Sequence, residues 1–107
     1  MQSIQASELA AWIEDTGREQ PLLLDVREEW EVHTASLPGI THIPMNSIPD
    51  ALEQLPRDTD IVCICHHGMR SMQVARFLEH HGFSRVINLS GGMDAVSRTV
   101  YPHIPVY

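Results

Sequence analysis

The sequence contains no lysine, and all seven of its basic side chains are arginines. Fourteen acidic side chains outnumber them, so the formal net charge is −7. A surface with this balance repels phosphate backbones and anionic headgroups, which disfavours nucleic acid and membranes as partners. The charge is uneven, because residues 61–107 hold two acidic and four basic side chains, whereas residues 1–60 are strongly acidic. The second half of the chain therefore repels anions least.

Cysteine is scarce, and the two that are present, Cys63 and Cys65, are separated by one residue. On a strand, side chains two positions apart point to the same face and are poorly placed for an unstrained disulfide. The sequence has no CxxC pair, and the adjacent His66 and His67 cannot readily bind one ion together, which disfavours a zinc site. We therefore expect free thiols, no metal and no cofactor.

No apolar run approaches the roughly 20 residues that a membrane-spanning helix needs. The segment Met1–Gln5 also lacks the basic and apolar regions of a signal peptide, so we expect a cytoplasmic protein. A length of 107 residues, of which 43% are hydrophobic, fits one globular domain. The expected organisation is a single domain over residues 1–107.

Short apolar runs alternate with amphipathic segments along the chain. Strands are expected at 21–26, 42–44, 60–65 and 86–89, and helices at 7–15, 28–34, 47–55, 70–81 and shortly after Ser90. Continuous apolar runs are typical of strands buried on both faces, so the alternation predicts an α/β fold with a central parallel sheet and helices on both faces. Ligands of such sheets bind beyond the carboxyl ends of the strands, where Cys65 stands.

The loop between the clearest strand and the following helix carries the chemistry. It comprises Cys65, His66, His67, Gly68, Met69, Arg70 and Ser71. Inward-facing backbone N–H groups of such a loop, together with the helix N-terminus, form a nest that favours a thiolate. We therefore expect Cys65 to be a nucleophile and the other six residues to bind its substrate, with Arg70 placed to contact an oxyanion.

Several residues admit a structural interpretation beside the functional one. Cys63 is expected to pack in the core, and Ser71 could equally be a helix cap or a substrate contact. Asp25 and Arg27 could form an ion pair that supports the loop from behind. Trp30 is expected to pack rather than to contact a ligand.

Four motifs in order give the sequence a resemblance to one family. They are Leu24–Glu28, Leu37–Ile40 with Ile43-Pro44, the loop 65–71, and Gly91–Ala95. Nearly the whole chain thereby resembles a rhodanese-like domain. The sequence departs from the family at Ser36, where His is common, and at Val96, where Trp is common.

The resemblance implies a three-layer fold with about five parallel strands. It further implies a thiosulfate sulfurtransferase that moves a sulfane sulfur from a small anionic donor through a Cys65 persulfide. The implied acceptors are cyanide in assays and thiols in cells, and a protein could also accept the sulfur. The physiological donor and acceptor, the oligomeric state and the pathway stay open.

Two other functions compete with this interpretation. A non-catalytic or partner-dependent sulfur-carrier or regulatory module would keep the fold, although the retained Cys65 argues against loss of chemistry. A cysteine phosphatase needs Arg after Cys and five intervening residues, and here that position is Ser71 while Arg70 comes one residue early.

Overall fold

A five-stranded, all-parallel sheet forms the centre of the computed structural model, which describes all residues 1–107. Its strands are β1 (Gln2–Ile4), β2 (Leu22–Asp25), β3 (Thr41–His42), β4 (Ile61–Ile64) and β5 (Val86–Leu89). The helices are α1 (Ala6–Glu14), α2 (Glu29–Thr34), α3 (Met69–His80), α4 (Gly92–Thr99) and a 3-10 helix (Met45–Gln54). The spatial order is β1-β5-β4-β2-β3, so the predicted α/β fold with a parallel sheet is confirmed.

Two elements differ from the sequence prediction. Strand β1 was not expected, because its three residues are largely exposed and carry no apolar run; it pairs with β5 at the edge of the sheet. The helix expected over 47–55 is a 3-10 helix that starts at Met45. Pro49 lies inside this helix and has no backbone N–H to donate, which disfavours regular α-helical hydrogen bonding there.

The sheet buries apolar side chains on both faces, and strand β4 shows this most clearly. Val62 and Ile64 pack into a cluster with residues of α1 and α4, whereas Ile61 and Cys63 pack into a second cluster with residues of α3. All four residues of β4 are buried. This alternation produces the three layers, and it places Cys63 and Cys65 in the same cluster, as the spacing predicts.

The carboxyl ends of the central strands meet at one edge of the sheet. Strand β2 ends at Asp25, β4 at Ile64 and β5 at Leu89, and Cys65 follows β4 directly. Helix α3 then begins immediately after Gly68, so its N-terminus faces the same edge. None of the helices has the length and apolar character required to span a bilayer.

Candidate active site

Cys65 lies at the bottom of a small cup formed by the loop that joins β4 to α3. Its side chain is buried, and its Sγ accepts a hydrogen bond of 3.0 Å from the backbone N–H of Gly68. Gly68 adopts φ +104°, a left-handed conformation that turns the chain back over the sulfur and starts α3. We call Cys65, Gly68, Ser71 and Asn88 the inner cup.

Asn88, on β5, links two other residues of the inner cup through hydrogen bonds. Its Nδ2 donates to the carbonyl oxygen of Gly68 at 3.2 Å, and its Oδ1 accepts from the hydroxyl of Ser71 at 2.6 Å. The Ser71 hydroxyl carries a single hydrogen. Cys65 Sγ, at 3.3 Å, is a second acceptor within reach of that hydrogen. Ser71 is therefore a buried contact of the sulfur, and the alternative role of helix cap is wrong because Gly68 occupies that position.

The nest predicted from the sequence is present in a reduced form. Of the loop amides, only that of Gly68 donates to Cys65 Sγ. The first N–H groups of α3 have no intrahelical partner, and none of them donates to the sulfur.

The start of α4 fixes the backbone of the loop. The N–H of Met93 donates to the carbonyl of Cys65 at 2.8 Å, and that of Asp94 donates to the carbonyl of His66 at 3.0 Å. A side chain on Gly92 would place its Cβ 2.4 Å from the Cys65 oxygen. Because Gly92 has no side chain, the start of α4 can approach the cysteine loop this closely.

Arg70 does not point freely into the site. Its Nη1 and Nη2 donate to Glu31 Oε1 and Oε2 at 2.7 and 2.9 Å, forming a two-pronged ion pair. Tyr107 donates its hydroxyl to Glu31 Oε2 at 2.8 Å. The hydrogen bond from Arg70 lowers the pKa of Glu31 to about 2, so this carboxylate is charged at neutral pH. We call Glu31, Arg70 and Tyr107 the outer mouth.

Comparison with known proteins assigns this arrangement to a family. The family model of the rhodanese-like domain matches residues 5–99. The chain belongs to the rhodanese-like domain family.

Individual relatives agree with the assignment. The chain is 35% identical to a protein named thiosulfate sulfurtransferase GlpE from Pseudomonas syringae, over 79% of this chain and 80% of that protein. It is 38% identical, over its full length, to rhodanese-like/PpiC domain-containing protein 12 of Arabidopsis thaliana, of which it spans 38%. A crystal structure from Staphylococcus saprophyticus superposes with a TM-score of 0.85 at 34% identity, over 98% of this chain and 99% of that one.

The two cysteines of this rhodanese-like domain have different surroundings. Burial, followed by the proximity of Cys65, raises the pKa of the Cys63 thiol to about 12, so Cys63 stays protonated at neutral pH. It is fully buried in the core, which confirms its expected packing role. Cys65 alone has a backbone donor at its sulfur.

Asp25 and Arg27 form the ion pair suggested by the sequence. Arg27 donates through Nε and Nη2 to the two carboxylate oxygens at 2.8 and 2.7 Å, and both side chains are fully buried. Arg27 also donates to the carbonyl of Ala35 and to the Tyr107 hydroxyl. Because every charge is compensated, the pair fixes the loop after β2 and positions Tyr107 at the outer mouth.

His66 and His67 lie at the entrance to the cup. The His66 ring stacks on Tyr107 with centroids 3.9 Å apart, and its Nε2 is buried without a hydrogen-bond partner. One potential ligand atom each of His66, His67 and Asp94 lies within 4.8 Å of the others. The Asp94 carboxylate is also paired with Arg98 at 3.0 Å.

Three of these residues escaped the sequence analysis. Asn88 had a signal, since an amide inside the buried run Val86–Leu89 demands hydrogen-bond partners. Glu31 and Tyr107 had none, because their partners lie far away in the sequence. Trp30, expected to pack, is 62% exposed, because α2 turns this side chain outward beside the mouth.

Proposed function

We propose that this chain transfers a sulfane sulfur from thiosulfate or a similar donor to a thiophilic acceptor through a persulfide on Cys65. The observation that carries the proposal is the hydrogen bond from the Gly68 N–H to Cys65 Sγ at the N-terminus of α3. A backbone donor and a helix N-terminus both favour the anionic form of sulfur. The name of the Pseudomonas relative supports thiosulfate as a donor.

The proposed reaction has two steps. The Cys65 thiolate attacks the outer sulfur of thiosulfate, a Cys65 S–S bond forms, and sulfite leaves with the electron pair of the broken S–S bond. The acceptor, which is cyanide in an assay or a thiolate in the cell, then attacks the terminal sulfur and Cys65 leaves as thiolate. No electrons are gained or lost overall, so no external oxidant or reductant is required.

The surrounding residues have proposed roles in these steps. The free N–H groups at the start of α3, at Met69, Arg70 and Ser71, stabilise the charge on the terminal sulfur of the persulfide. His66 and His67 line the path of the donor. Gly68 and Ser71 contact the sulfur, while Asp25 and Arg27 support the loop from behind.

A sulfur carrier or regulatory module that works only with a protein partner is the second candidate. The burial of Cys65 favours it, since a partner would have to deliver the sulfur into the cup. A phosphatase is disfavoured, because Arg70 comes one residue early and is paired with Glu31. Two free thiols suit a reducing compartment, so we include the cytoplasm in the proposal.

Incubation with thiosulfate followed by intact mass measurement tests the proposal. We expect a gain of one sulfur atom, and thiocyanate formation once cyanide is added. Cys65→Ser should abolish both, with a fall in turnover of at least about a thousandfold. Cys63→Ser is the matched control and should retain both, because Cys63 has no donor at its sulfur. Loss of the adduct in Cys63→Ser alone, or its retention in Cys65→Ser, would contradict the proposal.

A further inference from the structure

In the outer mouth, the Glu31 carboxylate fixes the position of the Arg70 guanidinium. Glu31 is buried and uses both oxygens on Arg70, with Tyr107 donating a further hydrogen bond to Oε2. Such a two-pronged ion pair satisfies the geometry that Arg70 would otherwise offer to a sulfonate or sulfate group. An oxyanion donor therefore has to compete with Glu31 for the two terminal nitrogens of Arg70.

The arginines around the entrance are neutralised by carboxylates and therefore attract anions only weakly. Glu31 neutralises Arg70, and Asp25 neutralises Arg27. Arg76 is exposed, but it lies six residues farther along α3, about 9 Å along the helix axis. The exposed acids Glu28 and Glu29 lie at the start of α2, close in sequence to Glu31. Apart from the helix N-terminus and the rings of His66 and His67, a dianion meets little attraction at this entrance.

Exposed apolar side chains neighbour the outer mouth in sequence, and Trp30 also contacts it. The structure leaves four large hydrophobic side chains exposed, and three of them directly precede a member of the outer mouth. Trp30 precedes Glu31, Met69 precedes Arg70 and Val106 precedes Tyr107. The Trp30 ring also meets the Tyr107 ring edge-on with centroids 5.8 Å apart. An exposed tryptophan in contact with the outer mouth favours a ligand with an apolar body.

We propose that Glu31 determines the donor: by holding Arg70 it disfavours inorganic thiosulfate and favours a persulfide carried on an uncharged or apolar body. This inference rests on the proposed function, since it concerns the same Cys65 chemistry. With such a donor the Cys65 thiolate attacks the terminal sulfur of R–S–SH, the donor S–S bond breaks, and R–S⁻ leaves. Atoms, charge and electrons balance without another reactant.

Glu31→Gln tests the proposal, because glutamine keeps the shape of the side chain and removes the charge that holds Arg70. We compare kcat/KM for thiosulfate with that for 2-hydroxyethyl persulfide, whose body is uncharged. In Glu31→Gln, kcat/KM for thiosulfate should rise about tenfold, mainly through KM, as one charge-assisted interaction is freed. The value for the alkyl persulfide should stay within about twofold.

Glu29→Gln is the matched control. It removes the same charge from an exposed position on the same helix, without contact to Arg70, so the donor ratio should not change. An unchanged ratio in Glu31→Gln, or an equal rise in both variants, overturns the inference. If neither donor loads wild-type Cys65, the proposed function itself has failed.

The wild-type protein supplies a second test that does not depend on the folding of a variant. If Arg70 is neutralised by Glu31, added salt should not lower kcat/KM for thiosulfate. A free guanidinium that attracts the dianion would give a steep fall of kcat/KM with ionic strength. Such a fall overturns the inference even where Glu31→Gln does not fold.

Discussion

The inner cup and the outer mouth of this site are built in different ways. The cup uses backbone groups and a neutral amide, supplied by the ends of β4 and β5 and by the first turn of α3. The mouth uses charged side chains and a tyrosine from α2, α3 and the last residues of the chain. The cup is thus built on the sheet and on α3, whereas the mouth is built from side chains of α2, α3 and the end of the chain. We infer that the cup determines the chemistry and the mouth determines the substrate.

The largest effect should come from breaking the support of the cup. In Gly92→Ala the new Cβ would lie 2.4 Å from the Cys65 oxygen and 2.5 Å from the His66 oxygen, at φ +56°. Backbone atoms cannot move away cheaply, so we expect a loss of about 2–5 kcal/mol in unfolding free energy and collapse of sulfur transfer with every donor. Urea unfolding and thiocyanate formation measure the two effects.

Gly39→Ala tests the cost of a left-handed backbone conformation in the absence of a steric clash. Gly39 also has positive φ, at +76°, but its Cβ would have nothing within 4 Å. We expect a cost of about 1–2 kcal/mol from the left-handed conformation alone, with transfer unchanged. Equal losses of activity in the two variants would contradict a specific role for the contact between α4 and the cysteine loop.

A smaller effect is expected from the amide beneath the cup. Asn88→Ala removes the hydrogen bonds to Gly68 and Ser71 and leaves buried groups unpaired, so unfolding free energy should fall by about 2–3 kcal/mol. Without Asn88, the Gly68 N–H is no longer held in position to donate to Cys65 Sγ. Sulfur transfer should therefore slow about tenfold for thiosulfate and alkyl persulfide alike.

Ser97→Ala is the control for Asn88→Ala, because Ser97 is buried and hydrogen-bonded to Pro105 away from Cys65. It should lower the unfolding free energy by about 1 kcal/mol without changing transfer. The comparison of cup and mouth fails if Asn88→Ala changes the ratio of the two donors, since that ratio should respond only to the mouth.

The position of the cysteine loop could be predicted from the sequence, whereas the contacts of the outer mouth could not. The loop from Cys65 to Ser71 joins a buried strand to a helix, and the topology of any parallel sheet places such a loop at the carboxyl edge. Every signal needed for that conclusion is local. Gly68, expected as part of this loop, is the left-handed residue before α3.

The contacts of the mouth depend on the folded chain. Glu31 and Arg70 are 39 residues apart in sequence, and Tyr107 is 76 residues beyond Glu31. Nothing in the spacing of charges reveals such a pair, so Arg70 was expected to face the donor alone. Strand β1 was missed for a related reason: its three residues form a strand only because the edge of β5 is available for pairing.

The mouth should also make folding sensitive to acid. The pKa of Glu31 is lowered from an ordinary value near 4.5 to about 2, chiefly by the hydrogen bond from Arg70. A carboxylate with a lowered pKa stabilises the folded state above its unfolded pKa, and this stabilisation is lost as the pH falls through the folded value. Its size is on the order of 2 kcal/mol, after allowance for the partial exposure of Arg70.

Urea unfolding of the wild type and Glu31→Gln between about pH 6 and pH 2.5 measures this contribution. The wild type should exceed Glu31→Gln by about 2 kcal/mol at pH 6, and most of this difference should vanish by about pH 2.5. Glu29→Gln should follow the wild type at every pH, because Glu29 is exposed and its only ion-pair partner is the equally exposed His33. A difference between wild type and Glu31→Gln that stays constant with pH would mean that Arg70 does not hold Glu31 in its charged form, and the mouth would then be no more than a packed polar surface.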